Sequence, residues 1–126
     1  MTALIAITGA LQQPSSVLLD STNATDVFAP TEGLHTVWSI AIANNDTSNA
    51  CRIAIRWHDG TTAYDLYQGS VEAGETEGVT HGLPMPINPG ATNGQGVAKK
   101  ITAQAGSAND LTITVSSSRV MPQQTR

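Results

Sequence analysis

Cys51-Arg52-Ile53-Ala54-Ile55-Arg56-Trp57-His58-Asp59-Gly60 is the stretch that decides how this chain folds. Cys51, Ile53, Ile55 and Trp57 take every second position, and Arg52, Ala54, Arg56 and His58 stand between them. Successive side chains of an extended strand point to opposite faces, so the run has one apolar and one largely polar face. Asp59-Gly60 follows, with a glycine that tolerates the positive φ of a tight chain reversal. Tyr64 to Val71 then reads as the returning strand.

The same period-2 rhythm extends in both directions from this hairpin, and no convincing helical period interrupts it. In Thr36 to Ala43, Trp38, Ile40 and Ile42 share one face, and Val37, Ser39, Ala41 and Ala43 share the other. The second face is small but also apolar, as in a strand covered on both sides or placed at a subunit contact. Trp38 and Trp57 both alternate in phase with isoleucines, which assigns both to the core. Asn44 to Asn49 is an unbroken polar turn cluster, and Glu72-Ala73-Gly74-Glu75 is a second turn ahead of a short strand, Thr76 to His81. Leu83-Pro84-Met85-Pro86-Ile87 cannot be a central strand, because two prolines remove ladder donors. Asn88 to Gly96 reads as a loop and Val97 to Ala105 as a strand. After a turn at Gly106 to Asn109, Leu111, Ile113 and Val115 face in while Thr112, Thr114 and Ser116 face out. Upstream lie three weaker strand candidates, Leu4 to Thr8, Ser16 to Leu19 and Thr25 to Phe28. About eight short strands with turn chemistry between them predict an all-β fold, a single-domain antiparallel β-sandwich of jelly-roll type. Residues 1–20 read as a leader with first strands, 21–121 as the sandwich, and 122–126 as a loose tail.

The composition narrows the function. A chain of 126 residues can bury a core in one domain. Charged residues are only 13%, against roughly 25% in an average globular protein. Ser, Thr, Asn and Gln fill the polar positions instead, and such groups leave water more cheaply than charges do. Apolar content of 40% with a net charge of -4 excludes charge-driven disorder. Six Lys and Arg against ten Asp and Glu leave no basic field to displace counterions from a nucleic acid. No run approaches about 18 apolar residues, so no membrane span is expected. Met1 to Leu11 is apolar but lacks the basic flank of a secretory signal. With Cys51 as the one cysteine, no internal disulfide can form.

Chemistry is sparse. His35, His58 and His81 have no neighbour at metal-ligand spacing. Cys51 sits on an apolar strand face with no base beside it, as a small hydrophobe would. Glu72, Glu75 and Glu77 fall in a turn and the strand after it, where solvation accounts for them, and the spacing of a calcium loop is absent. Gly94-Gln95-Gly96 lacks a third glycine and leads into a strand, so it is no dinucleotide site. No phosphate loop or nucleophile elbow occurs. Catalytic, cofactor and metal sites are therefore all expected to be absent, and the protein is not expected to be an enzyme.

Four segments carry a resemblance that covers about three-quarters of the chain. They are Val27-Phe28-Ala29-Pro30-Thr31-Glu32-Gly33, Val37-Trp38-Ser39-Ile40-Ala41-Ile42-Ala43-Asn44, Val71-Glu72-Ala73-Gly74-Glu75-Thr76, and Lys100 to Ala105 with Asp110 to Ser116. Together they resemble small β-sandwich or jelly-roll virion proteins of tailed bacteriophages. The resemblance implies a capsid decoration or cement protein made in the host cytoplasm and placed on the virion surface. Its partners would be the major capsid protein and sibling copies in a homotrimer, with no nucleic acid or membrane contact. The chain departs from the pattern in its apolar leader, Met1 to Leu19, and in a longer Pro84 to Gly96 loop.

These departures supply the expected contacts with the shell: Leu4, Ile5, Ile7, Leu11, Val17 and Leu18 from the leader, and Leu83, Met85 and Ile87 from the loop. Val37, Ser39, Ala41 and Ala43 are the expected self-association face. The alternative is a neck- or tail-associated module that recognises host carbohydrate. It needs an exposed aromatic beside acidic or amide groups, for which Tyr64, Asp65 and Tyr67 are the candidates. Tyr64 and Tyr67 are expected on opposite faces of their strand.

Overall fold

A computed structural model describes residues 10–91 and 97–120 of the chain. The strands are β1 (Ala10–Leu11), β2 (Ser15–Leu18), β3 (Thr25–Phe28), β4 (His35–Asn44) and β5 (Cys51–His58). They continue as β6 (Ala63–Val71), β7 (Thr76–Val79), β8 (Met85–Ile87), β9 (Lys100–Ala105) and β10 (Leu111–Arg119). In one sheet β10 pairs with β1, β2 and β4, and β4 pairs on its other side with β7 and β8. The second sheet runs β3-β9-β5-β6. All strand pairings within the two sheets are antiparallel. Leaving aside the short β1 and β8, this is the eight-strand order of a jelly roll, with sheets β2-β10-β4-β7 and β3-β9-β5-β6. The chain is an all-β sandwich, as its alternation predicts.

The core is the set of alternate residues that the two sheets turn toward each other. Val37, Ile40, Ile42, Ile113 and Val115 come from the first sheet, and Ile53, Ile55, Ile101 and Val71 from the second; all are buried. Cys51 is buried among them as a free thiol. Leu19, just past β2, closes one end of the core. Burying such side chains stabilises the sandwich by about 1.5–3 kcal/mol each relative to exposure.

The turns follow from their residues. The Asp59 carboxylate accepts from the Thr61 and Thr62 amides at 2.8 Å each, and the Asp59 amide donates to the Thr62 carbonyl. The reversal is therefore a four-residue loop, with Gly60 at φ 99°. These amide donors hold the Asp59 carboxyl below its usual range, Thr62 contributing most, then Thr61, with His58 adding a smaller pull. Asn44, buried at the end of β4, donates to the carbonyls of Asn49 and Val71 and accepts from the Asp46 amide. One carboxamide thus ties the 44–50 turn to the end of β6.

β4 departs from the expected alternation. Ser116 stands opposite Ser39, but Ser117 stands opposite Val37, so Trp38 is an extra residue in the ladder. The bulge reverses the phase: Val37 faces in and is fully buried, whereas Trp38 turns outward and is 52% exposed. Trp38 is therefore not a core residue, and Val37 cannot belong to an outward face. Trp57, on the regular β5, does pack against the core.

Candidate contact surfaces

The outward positions of the first sheet form cross-strand rows set by the register. Leu11, Ser118, Thr36 and Pro86 make one; Ser16, Thr114, Ala41 and Gly78 another; Leu18, Thr112, Ala43 and Thr76 a third. Ser116, Ser39 and Trp38 lie between the first two. Among the described residues, no outward position of this sheet carries a charge. Four of the hydroxyls are partnered within the face: Ser16 Oγ lies 2.8 Å from Thr114 Oγ1, Asn45 Nδ2 donates to Thr112 Oγ1, and Trp38 Nε1 donates to Ser118 Oγ at 2.8 Å. Hydroxyls that keep an internal hydrogen bond lose little when a partner excludes water. Leu11, 85% exposed, and Leu18, 46% exposed, add apolar surface at the edge formed by β1 and β2. Ala41, Ala43 and Gly78 make a low strip, and a Cβ on Gly78 would meet nothing within 4 Å.

The expected contact residues divide along these lines. Leu4, Ile5 and Ile7 fall outside the described residues. Leu11 and Leu18 are exposed, whereas Val17, one position out of phase with Leu18, packs against the core. Leu83 and Met85 are half-buried against the core, and Met85 lines a depression of about 240 Å³ with Trp57, Pro84 and Pro86. Ile87 is fully buried opposite His35, so it is a core residue and cannot face a partner. β8 is an edge strand, as its Pro86 requires. Of the expected self-association set, Ser39, Ala41 and Ala43 do share the outward face, and Val37 does not. Trp38 takes its place there. The signal in the sequence was the Val37 to Ile40 spacing, which only a bulge can put on one inward face.

The carbohydrate candidates do not converge. Ile55 pairs with Tyr67 and Arg56 with Asp65, leaving Leu66 as the extra residue of a second bulge. Directly opposed residues share a face. Tyr64 and Tyr67 therefore both lie on the side of Trp57 and Ile55, not on opposite faces. Tyr64 stacks on Trp57 with centroids 4.4 Å apart. Asp65 points the other way and pairs with Arg56 at 2.9 Å.

The outer face of the second sheet is polar and charged. Arg52, Ala54 and Arg56 run along β5, with Ser70, Gln68 and Asp65 on one side and Gln104 and Thr102 on the other. Lys100 pairs with Asp26 at its margin. His58 Nδ1 accepts from the Gly60 amide, which gives that side chain a turn-forming role. His35 Nε2 donates to the Glu32 carbonyl, and its ring meets Phe28 edge-on. Among the described residues no group of three or more His, Cys, Asp or Glu side chains could hold a metal ion. No helix there is long and apolar enough to cross a membrane.

No family model and no curated protein matches the chain.

Proposed function

We propose that this protein is an adhesive structural component of a bacteriophage virion, decorating the capsid and stabilising it by binding assembled shell subunits and sibling copies. The observation that carries the reading is the charge-free outer face of the first sheet, with the hydroxyls of Ser16, Thr112, Thr114 and Ser118 hydrogen-bonded within the chain and Trp38, Leu11 and Leu18 exposed. A stiff two-sheet body can present such a face without reordering loops, which keeps the entropy cost of docking low. The virion assignment rests on the four sequence segments described above. A protein that binds only the assembled shell stabilises that state by mass action, and contacts to several subunits at once multiply the effect.

The test mixes the purified chain with heads that lack it, then measures co-sedimentation and retention of packaged genome on heating. Saturable binding with raised heat resistance is expected. Gly78→Arg, which places a charge on the neutral face where the structure leaves open space, is expected to abolish binding while leaving the circular dichroism spectrum unchanged. Absence of binding to heads, with binding to tails or host cells instead, would overturn the proposal.

A further inference from the structure

We infer that the outer face of the second sheet carries a carboxylate-binding depression, floored by Ala54 and walled by Arg52, Arg56, Gln68 and Gln104, that seats an acidic segment of a partner protein. The site lies on the opposite side of the sandwich from the neutral face and does not depend on the virion reading.

The register builds it. Gln68 and Gln104 both stand opposite Ala54, one from each neighbouring strand, and Arg52 and Arg56 flank Ala54 along β5. A methyl group surrounded by four long side chains leaves an open depression of about 260 Å³. Arg56 is held in place: Nε donates to Asp65 at 2.9 Å and Nη1 to Gln104 Oε1 at 3.0 Å. Gln104 is fixed in turn by donating to the Thr22 carbonyl. Among the described residues, the Nη2 edge of the guanidinium has no further partner. Among the described residues, the side chains of Arg52 and Gln68 have no hydrogen-bond or ionic partner at all. Two guanidiniums against the single carboxylate of Asp65 leave the depression locally positive on an otherwise acidic chain.

A planar guanidinium with free donors matches a carboxylate, and one already oriented by its neighbours loses little freedom on binding. Arg52 and Arg56 are four residues apart on a strand, about 13 Å, so they address two acidic side chains of an extended segment rather than one small anion. A sugar acid fits less well. Sugars dock on aromatic faces, and Trp57, Tyr64 and Tyr67 all lie on the other side of this sheet. The shallow, open shape also suits a side chain offered by another surface.

Fluorescence anisotropy of the full chain with a fluorescein-labelled peptide of alternating Glu and Gly tests the inference. Saturable binding that weakens with salt is expected. Arg52→Gln should weaken it about tenfold, and Ala54→Gln, which fills the floor without changing charge, should abolish it. Lys100→Gln removes one charge from the same face outside the depression and should change affinity less than about twofold. No saturable binding, an equal loss in Lys100→Gln, or indifference to Ala54→Gln would each overturn the site. Tighter binding of a galacturonate tetramer than of the peptide would overturn the protein partner.

Discussion

Ile87 and Leu18 offer the sharpest test of which residues belong to the sandwich and which to its surface. Both are large aliphatics in segments expected to touch a partner, yet Ile87 is fully buried and Leu18 is 46% exposed. Ile87→Ala deletes three carbons, a transfer loss of about 2.4 kcal/mol at about 0.8 kcal/mol each. A cavity term adds to this, because β8 is tied to His35 on one side and to Ala98 on the other and cannot fully collapse. We expect a total near 3 kcal/mol, a fall in Tm of about 12 °C for a domain of this size. Leu18→Ala should change stability by less than about 1 kcal/mol, because its side chain points away from the core. Urea unfolding followed by circular dichroism, with equal m-values required for the comparison, measures both. A near-neutral Ile87→Ala beside a costly Leu18→Ala would refute the inward and outward assignments of the first sheet.

Three further outcomes follow from individual side chains. Asn44→Ala strands two carbonyls and one amide at the end of β4 and should cost about 2–3 kcal/mol in urea unfolding; a loss below about 0.5 kcal/mol would show that water replaces the carboxamide. The Asp59 carboxyl titrates lower in the folded chain than in the unfolded one, so its contribution is complete above the ordinary carboxyl range and fades as pH falls through the depressed folded value. The stability gap between the native chain and Asp59→Asn should therefore close below about pH 4, and a gap that does not vary with pH would contradict the turn's hydrogen bonds. In Trp57→Phe, which leaves Trp38 as the one indole, acrylamide should quench fluorescence strongly, whereas Trp38→Phe should leave a protected emitter.

Much of the fold could be read from the chain because the regular strands say which way they face. β5 and β10 alternate without interruption on their inward sides, so Ile53, Ile55, Leu111, Ile113 and Val115 fall where their spacing puts them. β8 is less legible. Pro86, with Pro84 just before the strand, marks Met85–Ile87 as an edge, but an edge strand still has an inward face, and Ile87 occupies it. Proline content speaks to hydrogen bonding in the sheet and says nothing about burial. The depression on the second sheet has no signature in the sequence for another reason. Arg52, Gln68 and Gln104 are distant in the chain and meet only through the pairing of β5 with both of its neighbours.

The reversed facings in β4 and β6 share one physical origin. A period-2 reading assumes an unbroken ladder, and one extra residue moves everything beyond it to the other face. In β4 the buried positions run 35, 37, 40, 42 and 44, a change from odd to even that needs the bulge at Trp38. A regular strand would have to choose between burying Val37 and burying Ile40. The bulge lets both enter the core and expels the residue between them that is largest and has a donor to place. Trp38 then lies over the sheet with its indole N–H on Ser118, which is only 4% exposed although it stands on the outward side. The irregularity that defeats the sequence pattern is thus what gives the neutral face its one large aromatic contact. The same logic applies in β6, where the Leu66 bulge brings Tyr64 and Tyr67 to one side and leaves Asp65 free to orient Arg56 on the other.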